Sequence, residues 1–265
     1  MAKRLIVAAV ATTALVAASS AYAITHGQRD GNAHPNVGAM MFGDPSAGDT
    51  LQLVCSGTLV APQVFLTASH CTDYLLNELH ITDVWVTFNT NSADGPYIHG
   101  TMEQNPAYNG KPAQSGNDIA VILLDSAPAG ITPATLPPVG LFDQMKSAKT
   151  LTQSSAFTAV GYGDGNKLVG GGKPDFYFDG DRWNATSFFN SLQNSWLRLT
   201  QNGSVGAGGT CFGDSGGPNF IGTTGTIAAI TISGDSACVA TNVDLRLDTQ
   251  SAQDFLAQFG VPRGH

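Results

Sequence analysis

The stretch "CFGDSGGP", residues 211–218, decides how this sequence is interpreted. It sets Ser215 among three glycines, at positions 213, 216 and 217. Because glycine has no Cβ, a bound molecule can approach the backbone closely at such a place. The ordinary alternative is a flexible glycine-rich loop without chemistry. Ser215 is a candidate nucleophile if a base and an orienting group occur elsewhere in the chain.

Two further stretches supply those groups. "TASHC", residues 67–71, places His70 directly before a cysteine, and "NDIAVILL", residues 117–124, places Asp118 at the start of an apolar run. A disulfide at Cys71 would fix the backbone of His70. A carboxylate beside a buried strand is costly unless it has a partner. Each residue taken alone has an ordinary structural explanation, but the three sequence motifs together favour a catalytic role.

The rest of the chain predicts an all-β fold, because short β-rich runs alternate with Gly, Asn, Asp and Pro. A proline-rich segment around residues 126–140 separates two halves, and residues 163–180 are predicted to form a long loop. One short helix is expected before Gly260. The predicted strands are 51–60, 64–67, 83–89, 119–124, 156–161, 196–200, 226–233 and 243–247.

The N-terminus has the three parts of a secretion signal. Lys3 and Arg4 precede an apolar run from Leu5 to Ala18, and residues 19–23 end in Ala-x-Ala form. A membrane anchor is the alternative, but this run is shorter than the ~20 residues of a spanning helix. We therefore predict cleavage after Ala23 and a secreted product, extracellular or periplasmic, with no membrane association.

Composition narrows the partners and cofactors. Without Lys3 and Arg4 the chain has 10 basic and 20 acidic residues, a net charge near −10, which argues against nucleic acid or anionic membranes. Four cysteines in an exported chain predict two disulfides, and three pairings are open. No Cys-x-x-Cys or His-x-x-x-His spacing occurs, so we expect no metal and no cofactor.

The three motifs resemble those of the chymotrypsin-like (trypsin-like) serine peptidases, whose hallmarks are Thr-Ala-Ala-His-Cys, Asn-Asp-Ile-Ala-Leu and Gly-Asp-Ser-Gly-Gly-Pro. The similarity also covers "CSGTLVAPQVFLTASHC", the "LPP" linker, "VGYG" and the C-terminal helix. It implies a peptidase domain over residues 24–265 with two six-stranded antiparallel Greek-key barrels. Their expected bounds are about 24–130 and 145–247, followed by a helix at about 249–259.

The resemblance also implies a mechanism. Ser215 would attack a peptide carbonyl and form an acyl-enzyme, His70 would carry the proton, and Asp118 would orient the imidazole. The backbone N–H groups of Gly213 and Ser215 would face the oxyanion. The new ammonium at Ile24 would pair with Asp214. The implied disulfides are Cys55–Cys71 and Cys211–Cys238, and the implied partner is a protein or peptide substrate cut by a monomeric enzyme.

The chain departs from the family pattern at the substrate pocket and at the N-terminus. The expected pocket floor is Gly209 and Thr210, with Gly234 on the wall and Asn242 on the far side, so we expect apolar side chains at P1, the substrate residue before the scissile bond. An inward Asp235 or Asp244 would instead favour basic side chains. Many members of the family have a serine at the position of Ile232, and this serine hydrogen-bonds the triad aspartate. Isoleucine cannot make that bond, so Thr231 is the candidate to supply it here.

The N-terminal Ile24-Thr25-His26-Gly27 replaces the family's Ile-Val-Gly-Gly, and Ala23 precedes it in place of Arg or Lys. We therefore expect signal peptidase itself to create the activating terminus. Two other functions stay open: a weak or inactive homologue that acts as a binding module, and an esterase with the same triad. The α/β-hydrolase elbow is disfavoured because no helix pattern follows Ser215.

Overall fold

The computed structural model describes residues 24–167 and 175–265, so the predicted signal peptide, residues 1–23, lies outside the described residues. A short strand, β1 (Gln28–Arg29), precedes a closed barrel of six antiparallel strands in the order β2-β3-β4-β7-β6-β5. These strands are β2 (Val37–Phe42), β3 (Gln52–Ala61), β4 (Val64–Thr67), β5 (Val84–Thr87), β6 (Ile98–Gln104) and β7 (Ala120–Leu124).

The first barrel forms because its strands carry apolar side chains on the inward face. Met40, Leu59, Phe65 and Val86 are each at most 1% exposed and belong to one core. Strand β7 pairs with β4 on one side and β6 on the other. The side chains on both of its faces are buried, with Val121 and Ile122 both 0% exposed, and a strand covered on both faces needs no polar alternation, which accounts for the continuous apolar run at 119–124.

The second half of the chain forms the other barrel. Strand β11 pairs with both β12 and β8, so six strands close into the ring β8-β11-β12-β15-β14-β13, and β1 adds to the edge of β11. The two six-stranded antiparallel barrels confirm the predicted fold class. The second barrel contains β8 (Ala156–Gly161), β11 (Trp183–Leu192), β12 (Trp196–Thr200), β13 (Pro218–Ile221), β14 (Ile227–Gly234) and β15 (Thr241–Arg246).

Helices lie at the edges of this arrangement. One turn, α1 (Ser69–Asp73), follows β4 and continues into a π-helical turn at Tyr74–Glu78. Helix α2 (Leu141–Ser147) joins the barrels, a 3₁₀ turn covers Gly203–Val205, and α3 (Gln250–Ala257) lies within the predicted 249–259. No helix among the described residues has the length and apolarity needed to cross a bilayer.

The predicted loop at 163–180 contains more structure than the sequence indicated. It holds a two-stranded antiparallel ribbon of β9 (Gly165–Lys167) and β10 (Asp175–Tyr177), and residues 168–174 lie outside the described residues. Strands β1, β2, β6, β11 and β13 were also missed. They contain glycine, proline or polar residues, so partner strands rather than local propensity determine their conformation.

Candidate active site

His70 is placed by β4 and by a disulfide. Strand β4 ends at Thr67, and α1 begins at Ser69, whose hydroxyl donates to the carbonyl of Ile119 (2.7 Å). The next residue, Cys71, is bonded to Cys55 in β3. Helix α1 is therefore tied both to β3 and to the residue that follows Asp118. Both disulfides expected from the resemblance are present.

His70 and Asp118 form a tight pair. The backbone N–H of His70 lies 2.9 Å from Asp118 Oδ1, and its Nδ1 lies 2.9 Å from Oδ2. The Asp118 side chain is fully buried, while the His70 side chain is 20% exposed. Because a carboxylate only accepts hydrogen bonds, it holds the proton on Nδ1 and leaves Nε2 as the acceptor. Aspartate thus sets both the orientation and the tautomer of the ring.

Thr231 does not supply the additional support for Asp118 that the sequence left open. Its hydroxyl lies 3.3 Å from Asp244 Oδ1, inside the second barrel. Tyr108 instead lies close enough to Asp118 for that charge to affect its titration. Burial is the largest cause that raises the pKa of Tyr108, and the negative charges of Asp118 and Asp73 raise it further. Tyr108 therefore remains a neutral phenol beside the pair.

The loop of residues 211–217, here called the Ser215 loop, lies against β3 and against the end of β4, the strand that precedes His70. The Ser56 N–H donates to the carbonyl of Ser215 (2.9 Å). A Cβ on Gly216 would overlap the Thr67 hydroxyl and crowd the Ala68 nitrogen, so only glycine permits this approach. Its φ of 76° also favours glycine. These contacts place Ser215 beside the end of β4, three residues before His70 in the chain.

The peptide groups of the Ser215 loop are anchored through their carbonyls. Phe212 O accepts from Asp164 N (2.6 Å) and Asp214 O accepts from Gly217 N (2.9 Å). Since N–H and C=O of a trans peptide point in opposite directions, the N–H groups of Gly213 and Ser215 face away from these anchors. Within the described residues neither N–H has a hydrogen-bond partner. Two unpaired backbone donors next to the candidate nucleophile are the kind of groups that an oxyanion site needs, and this role for Gly213 and Ser215 stays a prediction.

The structure does not bring Ile24 and Asp214 together. Asp214 is fully buried, and its carboxylate accepts from the backbone N–H groups of Cys211 and Gly163, each at 2.8 Å. Burial raises the pKa of Asp214 to about 7. Ile24 is also fully buried, but it packs with Trp183 and Ala185, and its nitrogen is here part of a peptide bond. Their pairing stays a prediction for the cleaved chain.

A cleft of about 360 Å³ lies beside Ser215 on the β14 side. Thr210 and Gly234, two of the residues predicted for the substrate pocket, line this cleft, and Phe212, Ile232 and Cys238 add apolar surface. Gly209 and Asn242 do not line it. A Cβ on Gly209 would collide with Gln201, and Asn242 is fully buried with its amide 3.5 Å from the Thr231 hydroxyl, so both lie behind the wall.

Neither of the two aspartates considered for this cleft presents a carboxylate that is free to bind a basic substrate side chain. Asp235 lines it, but its carboxylate accepts from the backbone N–H groups of Val239, Ala240 and Thr241. Burial opposes ionisation there, yet these bonds prevail and lower the pKa of Asp235. Asp244 is fully buried behind Thr231, and burial raises its pKa well above the ordinary value. The cleft is therefore lined by apolar groups, by the hydroxyl side chains of Thr210, Thr231, Ser233 and Ser236, and by a carboxylate that is already hydrogen-bonded.

A second, larger cleft of about 870 Å³ lies on the other side of Phe212 and Gly213. Its walls include Leu51 and Leu53 from the first barrel and Tyr177 and Phe178 from the β9–β10 ribbon. The side chain of Phe212 separates the two clefts and is 55% exposed. The sequence did not predict this cleft, because the ribbon lay in a segment that was assigned to a loop.

Metal ligation has little support in the described part of the chain. The group close enough to share one ion consists of Cys55, His70 and Cys71. The two sulfurs form a disulfide, and disulfide sulfurs are not the thiolates that bind metals. The expectation of no metal stays a prediction.

These observations define a double β-barrel protein with a histidine–aspartate pair and a serine loop at the barrel junction. The family model for trypsin matches residues 25–255, so the chain belongs to the trypsin family of serine proteases, as the resemblance implied. A search of the curated proteins found no match for the sequence.

Two solved structures show the same fold. Neuropsin, a serine protease expressed in the limbic system of mouse brain, is 20% identical, with a TM-score of 0.64, over 89% of this chain and 100% of that chain. HL collagenase is 17% identical, with a TM-score of 0.66, over 91% of this chain and 100% of that chain. At these identities the likeness concerns the fold.

Proposed function

We propose that this protein is a secreted serine endopeptidase that cleaves through an acyl-enzyme. The observation that carries the proposal is the His70 imidazole held by buried Asp118 beside a Ser215 loop with two unpaired N–H groups. Ser215 Oγ attacks the substrate carbonyl as His70 Nε2 accepts its proton. The imidazolium, stabilised by Asp118, then gives that proton to the departing amine.

The developing oxyanion is stabilised by the N–H groups of Gly213 and Ser215. Loss of one such donor typically lowers turnover about 10²–10³-fold. Water then attacks the acyl-enzyme with His70 again as the base, which releases the acid and restores Ser215. No cofactor enters this scheme, because the three side chains and the loop backbone supply each proton transfer and the charge stabilisation.

The clefts on the two sides of Ser215 support an endopeptidase, which must bind chain before and after the scissile bond. We assign the 360 Å³ cleft to the P1 side chain. The apolar surface of Phe212 and Ile232, and the backbone N–H groups that already bind the Asp235 carboxylate, favour large apolar side chains over Lys or Arg. Thr210 and Gly234 contribute to its lining, while Gly209 and Asn242 support it from behind.

A serine-directed fluorophosphonate probe tests this function on the secreted chain that begins at Ile24, with Ser215→Ala as the matched control. We expect labelling that the variant abolishes, and a peptide-library digest with Phe or Leu before most cleavage sites. Absence of labelling would favour the binding module, and labelling with ester but no peptide turnover would favour the esterase. Faster cleavage after Arg than after Phe or Leu would overturn the P1 assignment.

A further inference from the structure

Ser56 is a buried polar residue in strand β3 that no sequence motif singled out. It follows Cys55, whose disulfide partner adjoins His70, and it is fully buried. Its N–H donates to Ser215 O, and its carbonyl accepts from the Thr67 hydroxyl (2.9 Å). Ser56 therefore contacts the nucleophile's own backbone from one side and the strand leading to His70 from the other.

The direction of the hydroxyl bonds follows from their partners. The backbone N–H of Tyr162, in the second barrel, lies 3.0 Å from Ser56 Oγ and can only donate. The carbonyl of Gly213 lies 3.0 Å from the same Oγ and can only accept. The single Ser56 proton is thus directed at Gly213 O.

This hydroxyl completes the anchoring of the Ser215 loop. The carbonyls of Phe212 and Asp214 are bound to loop and ribbon backbone, and the carbonyl of Ser215 is bound to Ser56 N. The carbonyl of Gly213 has the Ser56 hydroxyl as its partner. Gly213 lies at φ 91° and has no Cβ to limit its backbone conformation. The Gly213–Asp214 peptide therefore most needs a hydrogen bond from outside the loop.

We propose that Ser56 is a positioning residue, whose hydroxyl fixes the Gly213–Asp214 peptide so that the N–H groups of Gly213 and Ser215 face the oxyanion. This inference rests on the proposed function. Ser56 touches neither the substrate nor the reacting atoms and acts through the loop. Without its hydroxyl, this peptide keeps the hydrogen bond from its Asp214 N–H to the carbonyl of Cys211 (3.1 Å) but loses the restraint on its carbonyl, and the donors are aligned only part of the time.

Ser56→Ala tests the inference because it removes the donor and preserves the strand. We expect kcat for an apolar-P1 peptide amide to fall about tenfold with KM nearly unchanged, since an oxyanion donor acts in the transition state. Affinity for a peptide boronic acid, whose tetrahedral adduct places an oxygen in the same position, should fall by a similar factor. Affinity for the product peptide should not change.

Ser187→Ala is the matched control. Ser187 is also fully buried, and its hydroxyl donates to a backbone carbonyl, that of Gly208 (2.6 Å), away from the Ser215 loop. The Ser187→Ala variant should be less thermally stable than the wild type, with an unchanged kcat per folded molecule. Ser56→Gly removes the same hydroxyl and replaces Ser56→Ala in the comparison if that variant folds poorly.

The outcomes separate the inference from the proposed function. An active wild type with equal kcat and boronate affinity in Ser56→Ala would overturn the role of Ser56 alone. An equal loss of product affinity and boronate affinity would also overturn it, because that pattern indicates general damage to the site. A wild type that neither cleaves peptides nor binds the boronate would overturn both proposals.

Discussion

At the scale of single residues, Asp214 carries the clearest electrostatic signal. It is a fully buried carboxyl whose partners in the described residues are two backbone N–H groups. Burial raises its pKa from 3.8 to about 7, so near neutrality the group is divided between its two protonation states. A cation at this position would favour the carboxylate. The predicted ammonium of Ile24, released by cleavage after Ala23, is such a cation.

We expect the chain that retains Ala23 to lose stability as pH rises from about 4 to about 7. In that window folded Asp214 keeps a proton that the unfolded chain releases, so each added pH unit costs up to about 1.4 kcal/mol. The form that begins at Ile24 should show a smaller loss, because its ammonium lowers the pKa of Asp214. Urea titrations at several pH values measure this difference.

Asp214→Asn is the control for that comparison, since it should make the two pH profiles parallel. The Ala23-extended form should also be nearly inactive. Equal activity and equal pH dependence of the two forms would contradict an activating role for Ile24 and leave it as an ordinary buried residue.

At the scale of elements, the β9–β10 ribbon supplies surface to the larger cleft. Tyr177 and Phe178 are 45% and 47% exposed there, and Phe176 packs edge-on against Phe212 with ring centroids 5.2 Å apart. In an extended peptide, side chains two residues apart lie on one face, about 7 Å apart. A substrate with P1 in the smaller cleft therefore directs P2′, the second residue after the scissile bond, toward the ribbon.

Cleavage should accordingly be faster with Phe than with Asp at P2′, by about tenfold, because an apolar side chain gains burial there. The carboxylates of Asp164 and Asp179, which also line the cleft, oppose an acidic residue. Phe178→Ala should reduce the Phe/Asp ratio of kcat/KM, measured with quenched fluorescent peptides of fixed P1. Val205→Ala, at a 59% exposed apolar residue outside both clefts, should preserve it. A ratio near one in the wild type would contradict this use of the ribbon.

At the scale of the whole molecule, Arg182 joins the two barrels. It precedes β11 and is 1% exposed. Its guanidinium donates to Asp30 Oδ2 (2.9 Å), to the carbonyl of Val37 in β2 (3.0 Å) and to that of Phe88 after β5 (3.1 Å). It also donates to the hydroxyl of Tyr162 (3.1 Å), and burial raises the pKa of that phenol to about 12. Because the candidate active site lies at the junction of the two barrels, its geometry depends on how these bonds align one barrel with the other.

Arg182→Ala should lower the free energy of unfolding by about 3–5 kcal/mol, because it removes the buried guanidinium from Asp30, whose other side-chain partners are His34 and Asn184, and leaves the carbonyls of Val37 and Phe88 without this donor. Guanidinium denaturation measures the loss. Arg263→Ala removes an arginine that is 47% exposed and paired with Asp254, and it should cost less than about 1 kcal/mol. Similar small losses for both variants would show that the buried pair does not hold the barrels together.

Particular residues show what the sequence could indicate. His70, Asp118 and Ser215 were proposed as a triad because each lies in a short local motif, and their catalytic roles stay a prediction. The pattern of short β-rich runs indicated an all-β fold, and the resemblance implied the two barrels. Ser56 and Arg182 were missed because each acts on residues more than 90 positions away in sequence. Gly209 was predicted on the floor of the substrate pocket and Asn242 on its far side, but the local chain cannot reveal that Gln201 and Thr231 lie next to them.

The sequence by itself determined the family, the all-β class and, through the resemblance, the pairing of the cysteines, and it nominated the three side chains of the proposed triad. Those features follow from short motifs and from local patterns of apolar residues. Only the tertiary structure decided which groups surround Ser215: the hydroxyl of Ser56, the committed carboxylate of Asp235 and the ribbon beside the larger cleft. The reason is physical, since barrel closure brings distant strands into contact, and hydrogen bonds across that contact depend on register and burial rather than on neighbouring residues.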